Sequence, residues 1–116
     1  MSQSATIQFA DRKSTTGICL LRVEETSARS LDMKHRRLGY LCIGVHYLIR
    51  EDGLLEHGRD RKAVGAMLCP QHETTIIIAL VGDHLANEAQ RKTLDIIVEK
   101  LYSAYPGIGV STYRGA

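Results

Sequence analysis

Thr74 to Leu80 is the stretch that most limits how this chain can fold. Thr74, Thr75, Ile76, Ile77 and Ile78 are β-branched in succession, and Ala79, Leu80 and Val81 continue the apolar run. Branching at Cβ favours the pleated strand. No polar side chain interrupts Ile76 to Val81, so the strand needs apolar cover on both of its faces. Two segments of helical periodicity can supply that cover. In the longer one, Leu94, Ile97, Val98, Leu101, Tyr102 and Tyr105 form one stripe. Asn87 is placed to cap its start, with Gln90 at the reciprocal position, and Pro106-Gly107 stops it. The shorter one opens on Ser30 as its cap, runs through Leu31, Lys34, His35 and Leu38, and closes on Gly39.

The remaining segments read as strands. Ile18 to Val23 is a nearly continuous apolar run, expected in the sheet interior. Residues 42–60 read as strand, tight turn and strand. Ile43, Val45, Tyr47 and Ile49 alternate with Gly44, His46, Leu48 and Arg50, and Asp52-Gly53 is a strong hairpin signal. Ala63 to Leu68 is expected as a short strand or a turn of helix, and Ile108 to Tyr113 as an edge strand. The order strand, short helix, hairpin, strand, long helix, strand predicts an α/β domain: a mixed β-sheet flanked by helices, one domain over residues 1–116.

Charge and cysteine content narrow the function classes. Fifteen basic residues against thirteen acidic ones leave a net charge of +2, and the charges are scattered. That argues against direct nucleic-acid binding. The cysteines are Cys19, Cys42 and Cys69, an odd number with no CxxC pair, which fits a reducing compartment. No apolar run is long enough to span a bilayer and no export signal is visible, so the expected location is the cytoplasm.

Candidate chemistry is sparse. The histidines are His35, His46, His57, His72 and His84. His46 and His57 lie on adjacent hairpin strands, and His72 shares a loop with Cys69, but none of these spacings is a zinc pattern. Cys42 and Cys69 lie near histidines, as nucleophiles need, yet such cysteines are more often small packed hydrophobes. No glycine-rich phosphate loop is present. Phe9, the sole phenylalanine, reads either as an anchor for the N-terminal arm or as part of a partner interface. The residues alone point to a domain with no assembled active site and no cofactor.

An ordered series of residues adds a resemblance. Gly39-Tyr40, Ile43-Gly44-x-His46-Tyr47-x-Ile49, Asp52-Gly53, Gly58-Arg59-Asp60, Ala63-Val64-Gly65, Leu80-Val81-Gly82, Ala89-Gln90, Leu94, Tyr105 and Gly107 occur in one order along nearly the whole chain. Together they resemble the zinc N-acetylmuramoyl-L-alanine amidase family that includes the peptidoglycan-recognition proteins and the lysozymes of T-seven-type phages. Ile7-Gln8-Phe9, Arg12, Ser14 and Thr15 are similar to the N-terminal segment of those lysozymes. The resemblance implies an amidase-like fold, here C-terminally truncated.

It also implies a test of the chemistry. The family binds zinc through two histidines and a cysteine or aspartate, assisted by a tyrosine and a lysine. The first histidine falls on Leu21, the assisting tyrosine on Val45 and the second histidine on Tyr113, and a histidine of the substrate cleft falls on Met67. The lysine and third ligand would lie beyond Ala116. Leucine has no lone pair, valine no proton, and a neutral phenol is a poor zinc ligand. The expectation is therefore no metal, no catalytic residue and no enzyme: a phage pseudo-amidase acting by binding.

The family's phage lysozymes also bind and inhibit their single-subunit RNA polymerase through the N-terminal segment. The resemblance thus implies residues 1–15 as a partner-binding segment, with Ile7, Gln8, Phe9, Arg12, Ser14 and Thr15 as contacts and that polymerase as the first partner. Inhibition of a host defence protein is an alternative. A non-catalytic peptidoglycan-binding module is a weaker one, given Val45 and Met67 in the cleft. Residual amidase activity is the weakest. The expected location is the cytoplasm of the infected bacterial host, which also counts against the peptidoglycan-binding module.

Overall fold

A computed structural model describes residues 9–82 and 85–113. Its elements are β1 (Gly17–Val23), α1 (Ala28–Arg37), β2 (Tyr47–Ile49), β3 (Leu55–His57), β4 (Thr75–Val81), α2 (Glu88–Ala104) and β5 (Gly109–Tyr113). A 3₁₀ turn at His72–Thr74 leads into β4. The five strands form one sheet in the order β3-β2-β4-β1-β5. β4 pairs in parallel with both β1 and β2, β5 pairs in parallel with β1, and only β3 runs antiparallel. The mixed sheet and its two helical covers are those expected from the sequence.

The β4 run alternates between two cores. Ile77, Ala79 and Val81 face α1, where Leu31 joins them with Cys19, Leu21, Val45 and Leu48. Ile76, Ile78 and Leu80 face α2, where Ile97 and Leu101 join them with Ile18, Tyr47 and Ile49. Every residue of β4 is buried. At about 25 cal/mol per Å² of apolar area removed from water, these two layers are the main drive to fold.

Several local expectations are revised. The cap of α1 is Ser27, whose hydroxyl accepts from the Ser30 amide; Ser30 sits one turn inside and reciprocates. The cap of α2 is Asn87 paired with Gln90, as expected. Tyr102 stays 45 % exposed on α2, so the apolar stripe is narrower than its periodicity suggests. Residues 63–68 form no strand beyond an isolated Asp11–Ala63 bridge. β5 is the edge strand expected over residues 108–113.

The hairpin differs most. Ile43 and Val45 belong to the α1-side core, but Tyr47 and Ile49 belong to the α2-side core. The period of two therefore slips at His46, and regular strand begins only at Tyr47. The cause is the His46 ring. Its Nδ1 accepts from the Ile77 amide at 2.9 Å, taking a β4 donor that a strand carbonyl would otherwise use. The turn itself is as expected. Gly53 has φ +87°, and a Cβ there would lie 2.8 Å from the Ala89 carbonyl oxygen, so glycine is needed both for the turn and for the approach of α2.

Candidate functional site

Two of the positions that the family resemblance marks, Leu21 and Val45, come together on the α1 side of the sheet. β1 and β5 pair with Leu21 opposite Tyr113. Leu21 and Val45 are both buried in the α1-side core. They line a cleft of about 320 Å³ that also has Leu31, Lys34, His35 and Leu68 on its walls. Met67, beside Leu68, is exposed. The donors available to a metal at Leu21 and Val45 are none, since both side chains are hydrocarbon. Among the described residues, no group of three or more His, Cys, Asp or Glu side chains is placed to hold a metal ion. Leu21 and Val45 themselves offer zinc no donor atom.

His46 has the other sequence signature of a ligand, but both ring nitrogens are occupied. Nδ1 accepts from Ile77, so Nε2 carries the proton and donates to the Ala63 carbonyl at 2.7 Å. Burial, reinforced by the nearby Arg12 and Arg59 guanidiniums, holds its pKa down to about 4. The ring is neutral at pH 7 and ties β4 to the 63–65 loop. His35 is arranged similarly. Its Nδ1 accepts from the Gly44 amide at 2.8 Å, and burial, then Lys34, lowers its pKa. His57 packs edge-on against Tyr47. His84 lies outside the described residues.

The cysteines behave as packed thiols. Cys19 and Cys69 are buried neighbours, and burial together with Cys69 pushes the Cys19 thiol up to about 12. A thiol so disposed is protonated and a poor nucleophile. Cys42 points its Sγ at the Ile43 carbonyl, 3.4 Å away.

The N-terminal segment is strapped onto the domain. The Arg12 amide donates to the Lys62 carbonyl at 2.8 Å, and the Ala10 carbonyl accepts from the Val64 amide at 2.9 Å. The Arg12 guanidinium donates to the carbonyls of Ala63, at 3.0 Å, and Arg61, and to the Thr15 hydroxyl at 3.1 Å. The Tyr105 ring lies 5.7 Å from the Arg12 guanidinium. Phe9 stacks on the Arg59 guanidinium at 4.0 Å, while Arg59 itself donates to Ile43 and Val64. Phe9, Arg12 and Thr15 thus anchor the segment, which is the first of the two readings of Phe9. Ser14 is exposed. Ile7 and Gln8 lie outside the described residues. The bracing roles of Arg12 and Arg59 were not legible in the sequence, where Arg12 read as a partner contact and Arg59 as part of the Gly58-Arg59-Asp60 motif.

A mixed five-stranded sheet between two helices, with the strap and the α1-side cleft, defines an amidase or peptidoglycan-recognition-protein type of domain. The Manduca sexta Peptidoglycan Recognition Protein-1 has this fold, with a TM-score of 0.80 at 15 % identity over 93 % of this chain and 72 % of that one. The N-acetylmuramoyl-L-alanine amidase LysC from Clostridium intestinale aligns with a TM-score of 0.74 at 19 % identity over 91 % of this chain and 78 % of that one. No protein-family model matches the chain.

The sequence relatives are phage proteins. The endolysin of Enterobacteria phage K11 is 32 % identical over 88 % of this chain and 76 % of its own length. The endolysin of Escherichia phage T7 is 29 % identical over 89 % of this chain and 77 % of its own length. A match to the Klebsiella phage KP32 endolysin, 32 % identical, covers 67 % of this chain and only 55 % of that protein. The chain belongs to the family of these phage endolysins.

Proposed function

We propose that this chain is a phage endolysin homologue that acts by binding a protein rather than by cleaving an amide. The observation that carries the reading is that the two positions of the cleft where the family resemblance places zinc chemistry, Leu21 and Val45, carry hydrocarbon side chains. Leu21 and Val45 are buried there, and Tyr113 lies opposite Leu21. An open-site zinc needs three protein ligands to lower the pKa of a bound water. The first partner to test is a single-subunit phage RNA polymerase. The strap supports this choice by holding Phe9, Arg12 and Thr15 in one conformation and leaving Ser14 exposed for a partner. To inhibit, the protein must bind one polymerase conformation better than another.

Zinc content and muropeptide cleavage by the purified chain test the loss of chemistry: no zinc and no turnover are expected, and stoichiometric zinc with turnover defeats the reading. Pull-down of the cognate polymerase by the full chain, compared with a chain lacking residues 1–9, tests the partner. Loss of capture on truncation is expected; equal capture, or none by either, counts against it. A second reading, retained amidase activity, is favoured by what the relatives are called, endolysins and an amidase. The same cleavage assay decides between the two.

A further inference from the structure

α2 sits off-centre on its face of the sheet. Thr93 donates to the Gly53 carbonyl at 2.5 Å, Asn87 to Glu51 at 2.9 Å and Gln90 to Ile49 at 3.3 Å on the β2–β3 side, and Gln90 also donates to Val81 of the central strand at 2.9 Å. Five strands at roughly 4.8 Å spacing span about 19 Å, and a helix is about 10 Å across. The helix covers β1 as far as Ile18, which is fully buried, and leaves Leu20, Arg22 and the neighbouring β5 partly open. Val110 is 42 % exposed there, and all of β5 is exposed.

Between β5 and the flank of α2 runs a groove of about 360 Å³ walled by Leu20, Leu80, Leu85 and Leu94, with Arg22 and Arg91 among its lining. Nη1 of Arg22 is shut off from solvent and has no hydrogen-bond partner among the described residues. A guanidinium N–H left without an acceptor is costly, which marks it for an acceptor brought from outside.

We propose that this groove receives an extended segment of a protein partner that sets a carboxylate beside apolar side chains. The carboxylate takes the N–H groups of Arg22 and the charge of Arg91, and the apolar side chains lie on the leucine walls. A free inorganic anion would leave those walls wet. A fatty acid would fill them but would not use the free edge of β5, whose backbone groups a peptide strand can pair. The proposal rests on the protein-binding reading above and names the chemistry of what is bound.

The test is an amide-resolved NMR titration of the full chain with the capped peptide acetyl-Leu-Asp-Leu-Glu-Val-amide. Saturable shifts are expected at Leu20, Arg22, Leu94 and Thr112. Binding should weaken at least about fivefold for Arg91→Gln, and equally for the peptide with Asn and Gln in place of its acids. Arg91 is exposed on α2, so its variant should fold; Arg22→Gln is the second variant and should weaken binding likewise. Absent shifts, shifts away from the groove, equal affinity for the neutral peptide, equal shifts with decanoate, or a concentration-dependent dimer closing the groove would overturn the proposal. Muropeptide turnover by the same sample would overturn the protein-binding function while leaving the titration result to be judged alone. Absent turnover with absent shifts would overturn only the groove.

Discussion

Replacing His46 by Gln should remove most of the pH dependence of stability between neutral and mildly acidic conditions. His46 is 1 % exposed, and burial is the main cause of its low pKa of about 4. In the unfolded chain the same group titrates near 6.5. Between these values the unfolded state binds more protons, so stability rises with pH. The contribution is fully present above 6.5 and is lost as pH falls toward 4. The gap corresponds to about 3 kcal/mol in all, of which about 2 kcal/mol is gone by a pH of about 5. Gln stays neutral throughout and offers both a donor and an acceptor to Ala63 and Ile77.

The assay is urea unfolding of wild type and His46→Gln at two pH values, with the His46 titration followed by NMR. Wild type should lose about 2 kcal/mol more than the variant on going from about pH 7.5 to about pH 5. His35 shifts in the same direction and should leave a smaller slope in the variant. Asp32 stays out of this window. Its burial opposes ionisation, but hydrogen bonds from Arg36 and Ile43 hold its pKa below the ordinary value, so its contribution is lost at lower pH. Equal slopes in both proteins, or a His46 that titrates near 6.5, would refute the assignment of the ring as a buried neutral tie.

Gly58→Ala should destabilise by at least about 2 kcal/mol in urea unfolding, because its Cβ would fall 2.1 Å from the Val45 carbonyl oxygen. Gln90→Ala should cost on the order of 2–4 kcal/mol, since it removes the reciprocal cap with Asn87 and the donor to the Ile49 and Val81 carbonyls, read as a lower thermal midpoint. Arg12→Ala should loosen the strap, seen as faster hydrogen exchange at the Arg12 and Val64 amides with a global loss of only about 1–2 kcal/mol. Unchanged exchange at both amides would show that the backbone bonds hold the strap without the guanidinium.

Much of the fold was legible because it follows from local pattern. The β4 run announced a strand covered twice, and Asn87 with Gln90 announced the start of α2, since β-branching and capping act over a few residues. The hairpin was legible in its turn but not in its first strand. Period two assumes that each residue pairs through its backbone, and His46 breaks that by lending its side chain to Ile77. The candidate site was legible only in part. Family order located Leu21, Val45 and Tyr113, but sequence could not show Leu21 and Val45 in one cleft, nor Leu21 opposite Tyr113.

By itself the sequence determined the class of domain, the two-sided burial of β4, and the hydrocarbon character of Leu21 and Val45. Those are properties of side-chain chemistry and short-range periodicity. Only the tertiary structure decided what the charged and polar residues do. Arg12, Arg59, His46 and Gln90 each reach partners far away in the chain, and Nη1 of Arg22 meets no acceptor among the described residues. Whether a buried polar group is a tie, a cost or an invitation to a ligand depends on which acceptors stand within about 3 Å of it, and only the folded arrangement sets that.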